Sequence, residues 1–237
     1  MSSNDSREEN SEIIKMSKIP PRRAKINKTL TQLFTNENNQ DFSPELVIAI
    51  SVKKLKKTQI KLLNEMKIKV VEDVTEDENI IIEALVADEL STKPKIIICI
   101  NKGIRIISEK WIDDVLNQKK IIKNFEEYEI KDENFENKYK INLKESLKLA
   151  KLHNGFLKGY NIFIHDIKFS LNNKMLEKII ISAKGNLIHS MPSKGTEKHL
   201  VLVDLKNQRL IQSLVDDNIR FLTKENLTEF CLRQTFD

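Results

Sequence analysis

Few side chains in this sequence are spaced for covalent chemistry. Its two thiols, Cys99 and Cys231, both sit in apolar runs, where cysteine behaves as a small buried hydrophobe rather than a nucleophile. With four histidines and two cysteines there is no metal-ligand spacing. The adjacent carboxylates Glu126-Glu127 and Asp216-Asp217 read as solvated surface, not as acid–base dyads. Five glycines leave no glycine-rich phosphate cradle, and no histidine-paired nucleophile is recognisable. The expectation is a protein that is not an enzyme and that uses no metal and no cofactor.

The elements that would position a binding site are better marked. The 237 residues suffice for two compact domains and their connections. Charged residues make up 32% and aromatics 6%, so the cores must be aliphatic. The net charge of +5 comes from lysines interleaved with acids, not from one basic stripe, so direct nucleic-acid binding is not expected. No window approaches the length of a membrane span, and the polar start is no signal peptide, which together suggest an intracellular protein with no membrane partner.

Residues 1–42 are rich in Ser, Asn, Glu and Lys and are expected to be mostly disordered, with a short helix around 25–34. Apolar runs at 46–51, 68–71 and 80–82, and at 104–107 after Gly103, predict four strands, with helices after the first and last. The run Lys95-Ile96-Ile97-Ile98-Cys99-Ile100 has strand composition. Ser91 and Thr92 as caps and Pro94 at the first turn instead favour a helix, apolar all round and therefore covered all round. A polar connection over 122–154 carries a helix at 143–152. Strands then follow at 160–164, 187–188 and 200–203, and around Phe221. Helices are marked by Met175, Leu176, Ile179, Ile180 and Ala183 and by Leu210, Ile211, Leu214 and Val215, with Gly185 as the C-cap of the first.

One phrase occurs twice. Residues 104–116 and 219–232 each read as a short apolar strand, a hydroxyl residue suited to helix capping (Ser108, Thr223) and an amphipathic helix. Two copies of one small α/β fold follow, each in the order strand, helix, strand, strand, helix, strand, helix.

That order, with Trp111 three residues after a capping hydroxyl, resembles the BRCT domain, and residues 43–237 look like a tandem BRCT pair from a DNA-damage-response scaffold. The Lys- and Asn-rich composition looks like that of a fungal member. The sequence departs from the family at Asn226, where the second tryptophan would fall, and in lacking a Gly-Gly turn after the first helix. The resemblance implies two four-stranded parallel sheets flanked by helices and packed in tandem through a helical interface. It implies a first domain at 43–121, a linker at 122–154 and a second domain at 155–237. It also implies a nuclear protein that binds a phosphorylated protein or peptide, with a phosphorylated histone tail as one candidate.

By the same resemblance, phosphate would be held by Ser51 at the end of the first strand, by the amide of Val52, and by Lys95, which lies sixteen residues before Trp111 as the family lysine does. A hydroxyl, an amide and a compact cation suit a phosphate dianion. Thr75 reads as a turn residue, with a second polar lining role as its alternative. A peptide groove would involve Thr92, where some members carry an arginine, with Lys93 as its substitute, and Ser170, Leu171, Asn172 and Asn173. Asp166 and the lack of a matching lysine imply that the second domain does not bind phosphate. The alternative within the resemblance is a phosphate-independent protein-interaction module.

Overall fold

The computed structural model describes residues 44–52, 55–74, 80–165, 173–192, 198–204 and 219–236. The expectations for residues 1–42, for Thr75, Asp166, Ser170, Leu171 and Asn172, and for the helix around 210–215 lie outside the described residues.

The first sheet is built from β1 (Leu46–Ser51), β2 (Ile68–Val71), β3 (Ala84–Ala87) and β4 (Arg105–Ser108), all parallel in the order β2-β1-β3-β4. Helix α1 (Lys57–Glu65) joins β1 to β2, α2 (Pro94–Asn101) joins β3 to β4, and α3 (Lys110–Gln118) follows β4. The second sheet holds β5 (Asn161–Ile164), β6 (Asn186–Ile188), β7 (His199–Leu202) and β8 (Arg220–Leu222), in the equivalent order β6-β5-β7-β8. Between the sheets run α4 (Glu133–Tyr139) and α5 (Leu143–His153). Helices α6 (Asn173–Ser182) and α7 (Lys224–Arg233) belong to the second copy. The expected architecture of two parallel four-stranded sheets is present.

One strand expectation is wrong. The isoleucines 80–82 precede β3 rather than forming it, and Ile81 is 81% exposed. The strand is Ala84-Leu85-Val86-Ala87, all of it fully buried. A central strand covered on both faces is selected by close packing more than by β-propensity, so small alanines displaced the isoleucines.

The ambiguous run 95–100 is helical, and Ile96 through Asn101 are all buried. Helix α2 packs against α5, α6 and α7, and one hydrophobic cluster runs through it from Ala49 and Leu85 of the first sheet to Ile162 and Leu200 of the second. The expected helical interface between the copies is therefore α2 against α6 and α7.

The helix starts differ from expectation in two places. Neither Ser91 nor Thr92 caps α2, whose N-cap is Lys93 without a side-chain bond. Ser108 ends β4, and Glu109 precedes α3, again with no side-chain cap. Thr223 does cap α7, in a reciprocal pair with Asn226. Asn226 thus closes a capping box at the position where the first copy has Trp111. Trp111 is fully buried; its Nε1–H donates to Ile122 O at 2.9 Å and its ring lies 5.8 Å from Phe125. That contact fixes the segment after α3 against the first sheet, where Ile130 N–H donates to Ile106 O along the β4 edge.

Gly185 is not the left-handed cap of α6. Lys184 takes that conformation, with φ +63°. Gly185 is required by space: a Cβ there would lie 2.5 Å from Ile162 Cδ1 and 2.8 Å from Ile180 Cγ2.

Candidate functional site

Ser51 is the last residue of β1 and pairs in register with Ala87, so the strand delivers it to the C-terminal edge of the sheet. It is half-buried, as is Val52, where the chain bends away. Helix α2 begins at this same edge, because it follows β3. Pro94 opens it after an extended Lys93 (φ −61°, ψ 138°), a geometry proline favours. Lys95 therefore projects from the first turn beside the end of β1.

The contact is direct. Lys95 Nζ donates to Ile50 O at 2.7 Å, the carbonyl of the residue before Ser51. The structure thus brings the Lys95 ammonium to the terminus of β1 that carries Ser51 and Val52. Among the described residues Lys95 forms no ion pair, so no carboxylate there neutralises it. An ammonium has three donors and the carbonyl occupies one. The backbone of the helix start offers less: Pro94 has no N–H, and the N–H groups of Ile96 and Ile97 already donate to Lys93 O. Among the described residues the Lys95 ammonium is the principal cationic donor at this corner.

The flanking residues behave differently. Thr92 is exposed in the bend before α2. Lys93 pairs with Glu89 at 3.6 Å with both side chains more than half exposed, a contact of little energetic weight. Asn173 begins α6, but its side chain lies outside the described residues. The structure therefore brings Lys95 to the strand end that carries Ser51 and Val52, while Ser170, Leu171, Asn172 and the side chain of Asn173 lie outside the described residues. Sequence reasoning weighed Ser91 only as a cap. Its hydroxyl is buried beside the start of α2 with no hydrogen-bond partner among the described residues, a property that only packing reveals.

With Thr223 as the counterpart of Ser108, the register of the second sheet puts Val203 in the place of Ala87 and His165 in the place of Ser51, so no hydroxyl stands there. Both thiols are inert. Cys99 and Cys231 are fully buried, and burial pushes each up to about 12, although Lys102 and Lys95 oppose the shift at Cys99. Among the described residues no cluster of His, Cys, Asp and Glu is arranged for a metal ion, and no helix is long and apolar enough to cross a membrane.

No family model matches the sequence, and no curated protein sequence matches it. Solved structures do. The BRCT5–BRCT6 domains of S. pombe Brc1 superpose with a TM-score of 0.68 at 17% identity, over 81% of this chain and 94% of that one. Rtt107p, solved in complex with a phosphorylated histone, superposes with a TM-score of 0.56 at 16% identity, over 81% of this chain and 88% of that one. Rtt107p in another crystal structure gives 0.56 at 16%, over 81% and 87%. At such identities the likeness is one of backbone architecture, and it spans both sheets and the helices between them: the chain has the fold of a tandem BRCT pair.

Proposed function

We propose that this chain is a non-enzymatic recognition module for phosphoserine or phosphothreonine peptides, acting in the nucleus within a genome-maintenance scaffold. The carrying observation is the Lys95 ammonium 2.7 Å from the carbonyl of Ile50, at the end of the strand that presents the Ser51 hydroxyl and the Val52 amide. A phosphate seated there would accept from the hydroxyl, the amide and the two remaining ammonium donors. Charge-assisted bonds of this kind contribute about 1.5–3 kcal/mol each, enough for phosphate to decide whether a peptide binds at roughly micromolar strength.

A phosphorylated histone tail is the candidate ligand, by analogy with the Rtt107p complex. The scaffold is then of the fungal regulator of Ty1 transposition type, with these residues as its C-terminal pair. The second reading is a phosphate-independent interaction module. What favours it is that the Ile50 carbonyl already gives Lys95 a structural role.

The two readings separate in one titration. Matched phosphorylated and unphosphorylated peptides from a histone tail are titrated against the wild type and Lys95→Met. The proposal expects the phosphopeptide to bind the wild type at least about tenfold more tightly than its partner, and Lys95→Met to abolish that difference. Equal binding of both peptides by the wild type would establish the second reading.

A further inference from the structure

The opposite end of α2 borders a cleft. Past Asn101 the helix stops on Gly103 (φ +65°), and the chain turns under the N-terminal edge of the sheet. There a hollow of about 600 Å³ opens between the two copies. It lies about 10 Å along α2 from Lys95, given the helical rise, and includes neither Ser51, Val52 nor Lys95.

Its lining combines two chemistries. Lys102, Lys151, Lys178 and Lys184 supply four ammonium groups, and no carboxylate among the described residues lines the hollow. A contiguous hollow of about 430 Å³ shares Lys102 and Lys151 and adds Arg105 and Lys123, against one acid, Glu83. Two of these cations are engaged nearby: Lys178 pairs with Asp73 at 2.7 Å, and Lys123 with Glu45 at 2.9 Å. Lys102 donates to Val74 O. Lys151 and Lys184 form no ion pair among the described residues. The second chemistry is apolar: Ile81 is 81% exposed and Ile181 50% exposed on the same hollow. Ile81, which β3 did not take, and Ile181 near the end of α6 thus form an apolar rim on a cationic hollow.

The two unpaired lysines are seated by glycines. A Cβ at Gly103 would meet Lys151 Cγ at 2.6 Å, and one at Gly155 would meet Lys184 Cγ at 2.4 Å. Each lysine stem lies across a backbone stripped of its side chain, which orders the stem at the cleft margin.

We infer that this cleft is a docking site for an acidic peptide segment of a partner protein that carries aliphatic residues among its carboxylates. Among the described residues the excess of cations over acids selects the charge, and the two exposed isoleucines select the apolar component. The site is separate from the Ser51–Lys95 corner and does not depend on it.

The probe is a short fluorescein-labelled peptide of alternating glutamate and leucine, read by anisotropy at low salt. Three controls accompany it: glutamine for glutamate, serine for leucine, and a short DNA duplex. Binding is expected at roughly 10–100 µM. Combined Lys151→Glu and Lys184→Glu should weaken it by about tenfold or more. Ile81→Ser, at an exposed position where folding is not at risk, should weaken it by about fivefold. Lys95→Met should leave it unchanged. Absence of binding, indifference to Ile81→Ser, or tighter binding of the duplex would each overturn the inference. So would binding that appears only when Glu76, Asp77 and Glu78 are replaced by serine, since the chain's own acidic stretch would then be the occupant.

Discussion

At the corner where β1 ends, two residues from segments far apart in sequence are brought to one place. Ser51 is placed by strand register, and Lys95 by the first turn of α2 and its bond to the Ile50 carbonyl. The lysine was legible because its distance from Trp111 could be counted. The carbonyl that holds it was not, since a backbone acceptor has no letter in the sequence. The cysteines were legible from their neighbours alone. Their burial has a measurable consequence: an unfolded thiol ionises near pH 8.5, whereas in the folded chain both Cys99 and Cys231 are pushed up to about 12. The folded state thus keeps protons that the unfolded state loses. Stability from the two thiols is fully present below about pH 8.5 and falls above it, by about 1.4 kcal/mol per pH unit for each thiol. Urea unfolding at about pH 8 and about pH 10 should show this loss, and Cys231→Ala should remove roughly half of the thiol contribution. Native protein at about pH 8 should leave both thiols unreactive towards a disulfide reagent until denaturant is added. Rapid labelling of either thiol without denaturant would contradict their burial.

Among the elements, α2 was the hardest to assign and proved the most informative. Five apolar residues in succession suit a strand; of the helix signals Ser91, Thr92 and Pro94, only Pro94 holds the place in the structure that it was read for. The structure explains the composition, because α2 has neighbours on every side and therefore no polar face. The failure at β3 has the opposite cause. Periodicity and β-propensity report a half-buried surface, whereas this strand is buried on both faces and selected by fit. Gly185 makes the same point about glycine: the residue was read as a conformational cap, but the positive φ belongs to Lys184, and Gly185 clears space for Ile162 and Ile180. The two roles predict different substitutions. Gly185→Ala forces methyl groups apart between α6 and β5 and should cost about 1–3 kcal/mol. Lys184→Gly relieves a left-handed backbone and should be neutral or stabilising by up to about 1 kcal/mol. Denaturant midpoints for the two variants test the assignment, and it fails if Gly185→Ala is silent while Lys184→Gly is destabilising.

In the whole molecule, the copies are joined by apolar packing and by one buried polar knot that no sequence pattern announced. Asn101, the last residue of α2, is 3% exposed and lies between α6 and α7. Its Nδ2 donates to Ser182 Oγ at 2.9 Å and Ile179 O at 3.2 Å, and its Oδ1 accepts from Gln234 Nε2 at 2.8 Å. Every partner belongs to the second copy, and apolar packing alone would tolerate several offsets of α2 that these bonds do not. The Lys178–Asp73 pair also crosses between copies, but it is about one-third exposed and contributes little. Asn101→Ala leaves the Gln234 amide and the Ser182 hydroxyl buried without that partner and should cost about 2–4 kcal/mol. A double-mutant cycle with Gln234→Ala should return a coupling of at least about 0.5 kcal/mol. Trp111, the single tryptophan, lies in the first copy and provides a local reporter. In the wild type its fluorescence and the far-ultraviolet circular dichroism should trace one unfolding transition, because the two copies share a core. In Asn101→Ala the transitions should separate, with dichroism lost ahead of the tryptophan signal as the second copy detaches. Coincident curves at an unshifted midpoint would show that the apolar faces of α2 suffice to couple the copies.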